Sequence, residues 1–162
     1  MLIKRIIKSY KRKLETPYEY AKRSGVKMGE NVQILSKHLT TEPYLITLGN
    51  NVRISKDVHF FTHGGICRLR IYNNDPDFDY FGKINIGDNT FIGEGAYIMY
   101  GVTIGKNCIV AAASVVNKSI PDNCVVGGNP AKILGDSATA YNKLKMYDVK
   151  SKKALLIKYF FY

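Results

Sequence analysis

The sequence predicts an all-β solenoid: a single parallel β-helix with a helical segment before it and a helical or docking tail after it. Three observations predict it. The first is a period of six sustained from Ile86 to Pro121, in which every row opens with an aliphatic residue: Ile86, Ile92, Ile98, Ile104, Val110 and Val116. The second is the fifth place of each row, which is small or β-branched: Thr90, Ala96, Val102, Cys108, Ser114 and Ile120. The third is recurrence upstream, where Leu48, Ile54 and Phe60 are spaced by six with Val52 and Val58 between them, and Met28, Val32 and Ile34 begin the pattern. A short internal period marks a solenoid, and a period of six matches neither the helical nor the simple strand repeat.

The physical reading is a chain wound as a triangular prism. Each row of six supplies one flat face and one corner. Three rows, about 18 residues, complete a turn, and turns stack at the strand spacing of about 4.8 Å. The row-initial and fifth-place side chains point inward and stack on their equivalents. Gly and Asn near the corners supply the positive φ of tight turns. Short strands in a sandwich are the alternative, but a sandwich does not force one period through six consecutive rows.

The chain has 162 residues and a formal charge of +11. Residues 1–27 carry nine Lys and Arg against two Glu, residues 136–162 carry six Lys against two Asp, and the remaining nine basic and nine acidic residues cancel. The excess therefore sits at the ends. A nucleic-acid domain carries its basic stripe on the folded body, so no nucleic-acid partner is expected. Three regions follow: a basic amphipathic segment at 1–27, the β-helix at 28–134 and a basic, apolar tail at 135–162. Ile3, Ile6, Ile7, Tyr10 and Leu14 share one helical side, and Pro17 is read as ending or kinking that helix. The helix either caps the solenoid or lies on an anionic membrane through residues 1–18. No apolar run approaches the ~20 residues that span a bilayer, and the charged start does not read as a secretory signal. Three cysteines, Cys67, Cys108 and Cys124, lack zinc spacing and suggest reduced thiols in the cytoplasm, with the inner membrane face as a second possibility.

Residues 64–83 interrupt the repeat once. Asp75, Asp77 and Asp79 alternate there, but the later Gly and Glu of a calcium loop are missing, so no metal is expected. The segment reads as a turn-rich protrusion.

Several stretches then carry a resemblance. They are Glu42-Pro43-Tyr44-Leu45-Ile46 with Leu48-Gly49-Asn50-Asn51-Val52, Val58 to Gly65 with Thr62-His63, the rows from Ile86 to Val116, and Val126-Gly127-Gly128-Asn129-Pro130-Ala131-Lys132-Ile133. The last is similar to a Gly-x-Pro-Ala-Lys signature. Together they resemble the hexapeptide-repeat acyltransferases, and within them the small O-acetyltransferases that modify sugars of bacterial surface polysaccharides. The resemblance implies a left-handed β-helix, against the usual right-handed crossover. It implies acetyl-coenzyme A as acyl donor, a sugar or other saccharide hydroxyl as acceptor, and a homotrimer with sites in the clefts between prisms.

It also implies roles residue by residue. His63 corresponds to the general base. A sugar hydroxyl is a poor nucleophile near neutral pH, and a base that removes its proton contributes typically ~10²–10⁴-fold. His59 follows inward Val58, so alternation turns it to the surface, and His38 receives no role. The coenzyme positions are Glu94 (through its backbone), Ala112, Asn117, Lys118 and Lys132. Ala111-Ala112-Ala113, Gly93 and Gly95 offer the small side chains a thin pantetheine chain needs. Gly135 stands where some members carry a nucleotide-binding Arg. Asp79 and Tyr80 are assigned to the acceptor. Cys108, at an inward fifth place, reads as core. An amine acceptor on an amino-sugar and a catalytically silent trimeric scaffold remain open.

Overall fold

The computed structural model describes residues 14–65 and 79–147. Helix α1 spans Pro17–Ser24 and α2 spans Ser137–Leu144. Between them run β1 (Lys27–Met28), β2 (Gln33–Ile34), β3 (Ile46–Leu48), β4 (Arg53–Ile54), β5 (His59–Phe60), β6 (Ile84–Ile86) and β7 (Phe91–Ile92). They are followed by β8 (Tyr97–Ile98), β9 (Thr103–Ile104), β10 (Ile109–Val110), β11 (Val115–Val116), β12 (Cys124–Gly127) and β13 (Lys132–Asp136).

The strands fall into three sheets, ordered β1-β3-β6-β9, β13-β12-β10-β7-β4-β2 and β11-β8-β5. From β3 to β11, successive strands visit the first, second and third sheet in strict rotation. All pairs are parallel except β12 with β13. That rotation is the three-faced coil the period of six requires. Partners in neighbouring regular turns, such as Phe91 with Ile109 and Tyr97 with Val115, are three rows of the repeat apart.

Every row-initial and fifth-place residue from Ile86 to Ile120 is buried, so the core is the inside of the prism. Ile46, Ile54, Ile84, Ile92, Ile98 and Ile104 are its largest wholly buried side chains. Burial of each stabilises the fold by about 1.5–3 kcal/mol. Cys108 lies among them.

The corners obey the expected backbone. Asn31, Asn51, Asn89, Asn107 and Asn123 all have φ between 53° and 60°. Asparagine tolerates this left-handed conformation, and here its side chain has a second task. The Asn31 amide donates to Asn51 at 2.9 Å, Asn51 to Asn89 at 3.0 Å, Asn89 to Asn107 at 3.2 Å and Asn107 to Asn123 at 2.9 Å. One edge of the prism is thus a continuous amide ladder.

Two turns are longer than three rows. Gln33 pairs with Arg53, slightly beyond that spacing, because the 3₁₀ turn Pro43–Leu45 lengthens the coil between them. Arg53 pairs with Phe91, and the path between them is one regular turn of three rows plus the whole insertion 64–83. The insertion's ends close on each other: His63 bridges Phe81, and the Gly82 N–H donates to the Thr62 carbonyl at 2.7 Å. The prism therefore resumes as if nothing intervened.

Most of the expected helix over residues 2–18 lies outside the described residues, as do tail residues 148–162. Pro17 itself opens a helix instead of closing one. Thr16 caps α1: the Glu19 N–H donates to Thr16 Oγ1 at 3.2 Å and the Thr16 N–H donates to Glu19 Oε2 at 2.9 Å. Proline fits directly after such a cap, where its missing N–H would have had no helical partner. Strand β13 returns antiparallel on β12 and is exposed along its length. Asp136 then caps α2, accepting from the Thr139 N–H at 2.8 Å. Among the described residues no helix is long and apolar enough to cross a membrane.

Candidate functional site

His63 leaves the prism just after β5, where the insertion departs. Its side chain is 41% exposed, whereas that of Glu42, one coil earlier, is only 17% exposed. His63 Nδ1 lies 2.9 Å from Glu42 Oε2. Thr62 Oγ1 donates to the same oxygen at 2.7 Å and Thr40 Oγ1 approaches it at 3.1 Å, while Thr41 Oγ1 bonds Oε1. Thr40 and Thr62 also contact each other at 2.6 Å. Burial pushes the Glu42 carboxyl upward, but hydrogen bonds from Thr41, Thr62, His63 and Thr40 outweigh it and hold the group down at about 2.

An ionised carboxylate has no proton to give. Nδ1 of His63 must therefore be the donor in this pair, and the neutral ring carries its lone pair on Nε2. Glu42 thus sets both the tautomer and the ring orientation. The arrangement is a carboxylate–imidazole pair poised to accept a proton at Nε2.

Glu42 received no role from the sequence, although it sits in a stretch that carries the resemblance. The signal was distance along the coil: Glu42 precedes His63 by 21 positions, close to the 20 between the stacked corner residues Asn31 and Asn51. His59 does face outward, but not into open solvent. It stacks between His38 at 4.2 Å and Tyr97 at 5.0 Å, ring to ring, and lies 6.3 Å from Phe61. Burial and the neighbouring His38 charge push the His59 imidazole down, against the pull of Asp57.

The other expected site residues separate into two groups. The pairing of Phe60 with Ile98 and of Ile98 with Val116 carries on past the strands, so Thr62, Tyr100 and Lys118 lie in one column. Lys118 and Asn117 thus share the His63 edge, displaced by two coils, about 10 Å. Tyr80 is on this edge as well, packed edge-on to Tyr100 with ring centres 5.0 Å apart. Asp79, exposed, precedes it.

Glu94 and Ala112 belong to the opposite side of the third sheet, at the corner after β7 and β10. The Ala113 N–H donates to the Glu94 carbonyl at 2.8 Å. Gly93 permits this stacking, since a Cβ there would lie 2.5 Å from the Ala112 nitrogen. The Gly128–Ala131 turn folds onto the same corner: the Val115 N–H donates to the Gly128 carbonyl at 2.9 Å and the Ala131 N–H to the Val115 carbonyl at 2.8 Å. Lys132 follows, exposed, opposite Gly127. A full face of the prism separates the two groups within one chain. Arg68, Arg70, Asp75, Asp77 and Cys67 lie outside the described residues.

Residues 83–118 match the family model described as bacterial transferase hexapeptide (six repeats). The chain belongs to the hexapeptide-repeat family. This hexapeptide-repeat chain is 44% identical over 112 residues to the protein CapG of Staphylococcus aureus, covering 67% of its own length and 64% of CapG. It is 31% identical over 121 residues to galactoside O-acetyltransferase of Escherichia coli, covering 75% of itself and 59% of that protein. Among solved structures, it is similar to a hexapeptide-repeat acetyltransferase of Vibrio cholerae complexed with acetyl-coenzyme A. The TM-score is 0.59 at 33% identity, over 69% of this chain and 60% of that one. The chain thus spans less than two thirds of the length of each. The match implies the left-handed winding for the three-sheet coil.

Proposed function

We propose that this chain transfers an acetyl group from acetyl-coenzyme A to a hydroxyl of a saccharide, as a step in surface-polysaccharide modification, with His63 as general base. The observation that carries the reading is the Glu42–His63 pair, exposed at the edge of a hexapeptide-repeat coil. His63 Nε2 takes the acceptor's hydroxyl proton as the oxygen attacks the thioester carbonyl. The new C–O bond forms, the C–S bond breaks, and His63 returns the proton to the departing thiolate. Glu42 stabilises the imidazolium between these steps.

The chain's own residues fit the donor. The coils at Gly93-Glu94-Gly95 and Ala111-Ala112-Ala113 present small side chains, which lets a thin amide chain approach the backbone there. Lys118 and Lys132 are exposed ammonium groups suited to phosphates, and Asn117 lies beside Lys118. Acetyl-coenzyme A is bound in the similar Vibrio cholerae structure, and a galactoside is the substrate named for the Escherichia coli relative. The division of site residues between two prism edges supports a homotrimer, in which the His63 edge of one copy meets the Glu94–Ala112 corner of the next. A cytoplasmic location goes with this reading, and Cys108 and Cys124 are both free thiols.

The test is an acceptor screen with acetyl-coenzyme A, following thiol release and acetyl incorporation by mass spectrometry. Saccharide-dependent thiol release with an alkali-labile O-acetyl product is the expected result. Exclusive acetylation of amines would replace the O-acceptor. Absence of acetyl-coenzyme A binding by calorimetry at millimolar concentration would overturn the enzyme reading.

A further inference from the structure

Three aromatic rings converge beside His63 from two places in the chain. Phe81 and Tyr80 come from the returning end of the insertion, and Tyr100 from the next coil. The Phe81 ring lies 5.9 Å from the His63 ring, tilted by 58°. The Tyr80 and Tyr100 rings meet edge to face, at 80° and 5.0 Å. Tyr80 is 42% exposed and Phe81 47% exposed. Tyr100 is brought close by the residue after the base: a Cβ on Gly64 would lie 3.4 Å from Tyr100 Cε1 and 3.7 Å from its hydroxyl. The rings are therefore fixed against the backbone that carries His63.

None of the three rings belongs to the inward set that the period of six requires. Tyr100 occupies the third place of its row, and Tyr80 and Phe81 lie outside the rows altogether. The stability of the coil does not explain them. Rings that are half-exposed, rigidly held and tipped by hydroxyls suit a ligand with one apolar C–H face and a polar rim. A pyranose has that surface.

We propose that Tyr80 and Tyr100, with Phe81, form the platform on which the C–H face of a pyranose acceptor stacks, presenting a ring hydroxyl to His63. This rests on the acetyltransferase reading and specifies its acceptor as a cyclic sugar. An acyclic polyol or an amino acid offers hydroxyls but no such face.

The test is saturation-transfer NMR on the full chain with methyl hexopyranosides, including methyl β-galactoside, and galactitol as the acyclic control. Ring C–H protons of at least one pyranoside should receive saturation at millimolar concentration, and those of galactitol should not. Tyr80→Ala and Tyr100→Ala should each weaken pyranoside binding about tenfold. Acetyl-coenzyme A affinity, read by calorimetry, controls for folding, and Tyr80→Ala is the informative variant if Tyr100→Ala fails that control. No saturation of any pyranoside, or affinity unchanged in Tyr80→Ala, would overturn the platform even if coenzyme binding is intact. Loss of oligomerisation in the variants with pyranoside binding retained would overturn it in favour of a subunit contact. Failure of the wild type to bind acetyl-coenzyme A would instead strike the acetyltransferase reading.

Discussion

At the scale of single residues, the chemistry turns on Glu42. Its carboxylate accepts the Nδ1 proton of His63 and is itself held by three threonines. Glu42→Gln keeps the shape but not the charge, so the imidazolium that forms during transfer loses its partner. A fall in kcat of about tenfold or more, with acetyl-coenzyme A affinity unchanged, is the expected outcome in steady-state kinetics. The same residue has a signature in stability. Its folded pKa of about 2 lies below the ordinary value of 4.5, so the stabilisation is fully present above pH 4.5 and is lost as pH falls towards 2. Thermal melts between these limits should show a steeper loss for the wild type than for Glu42→Gln. His63 was legible in the sequence because a motif fixes its place against the repeat and the insertion. Glu42 was not, since its coil departs from period six through the 3₁₀ turn Pro43–Leu45, and counting in sixes does not reach it. Tyr100 was illegible for another reason: its place in the row is outward, where the period dictates nothing.

At the scale of elements, two-residue strands hold only because turns register them. The asparagine ladder does this along one edge. In Asn89→Ala the hydrogen bonds from Asn51 and to Asn107 are lost, and alanine must adopt φ near 56°. In Asn89→Gly the same bonds are lost without the backbone penalty. Alanine should therefore be the more destabilising by about 1 kcal/mol, read from urea denaturation. Equal destabilisation by the two would show that the backbone conformation contributes little. The strands, inward positions and insertion boundaries were all legible, as period six encodes them directly. The role of Pro17 was not, for a proline after Thr16 and before Glu19 reads equally as a break or as a beginning until the cap is seen.

At the scale of the whole molecule, one prism keeps His63, Asn117 and Lys118 a full face away from Glu94 and Ala112. Neighbouring copies in a trimer would bring the two edges together. Two variants, His63→Ala and Ala112→Trp, should each lose activity alone and recover a fraction of it when unfolded together and reassembled. Recovery requires sites built from two chains. Sedimentation as a monomer with full activity at nanomolar concentration would contradict that arrangement.

Proton transfer to His63 is the step on which the rest depends, and removal of that side chain tests it most directly. Acetyl transfer by His63→Ala should have kcat lowered by ~10²-fold or more, with acetyl-coenzyme A affinity within about twofold of wild type. A His63→Ala variant that retains kcat within about threefold would contradict the mechanism, since no general base worth ~10² could then reside at that position.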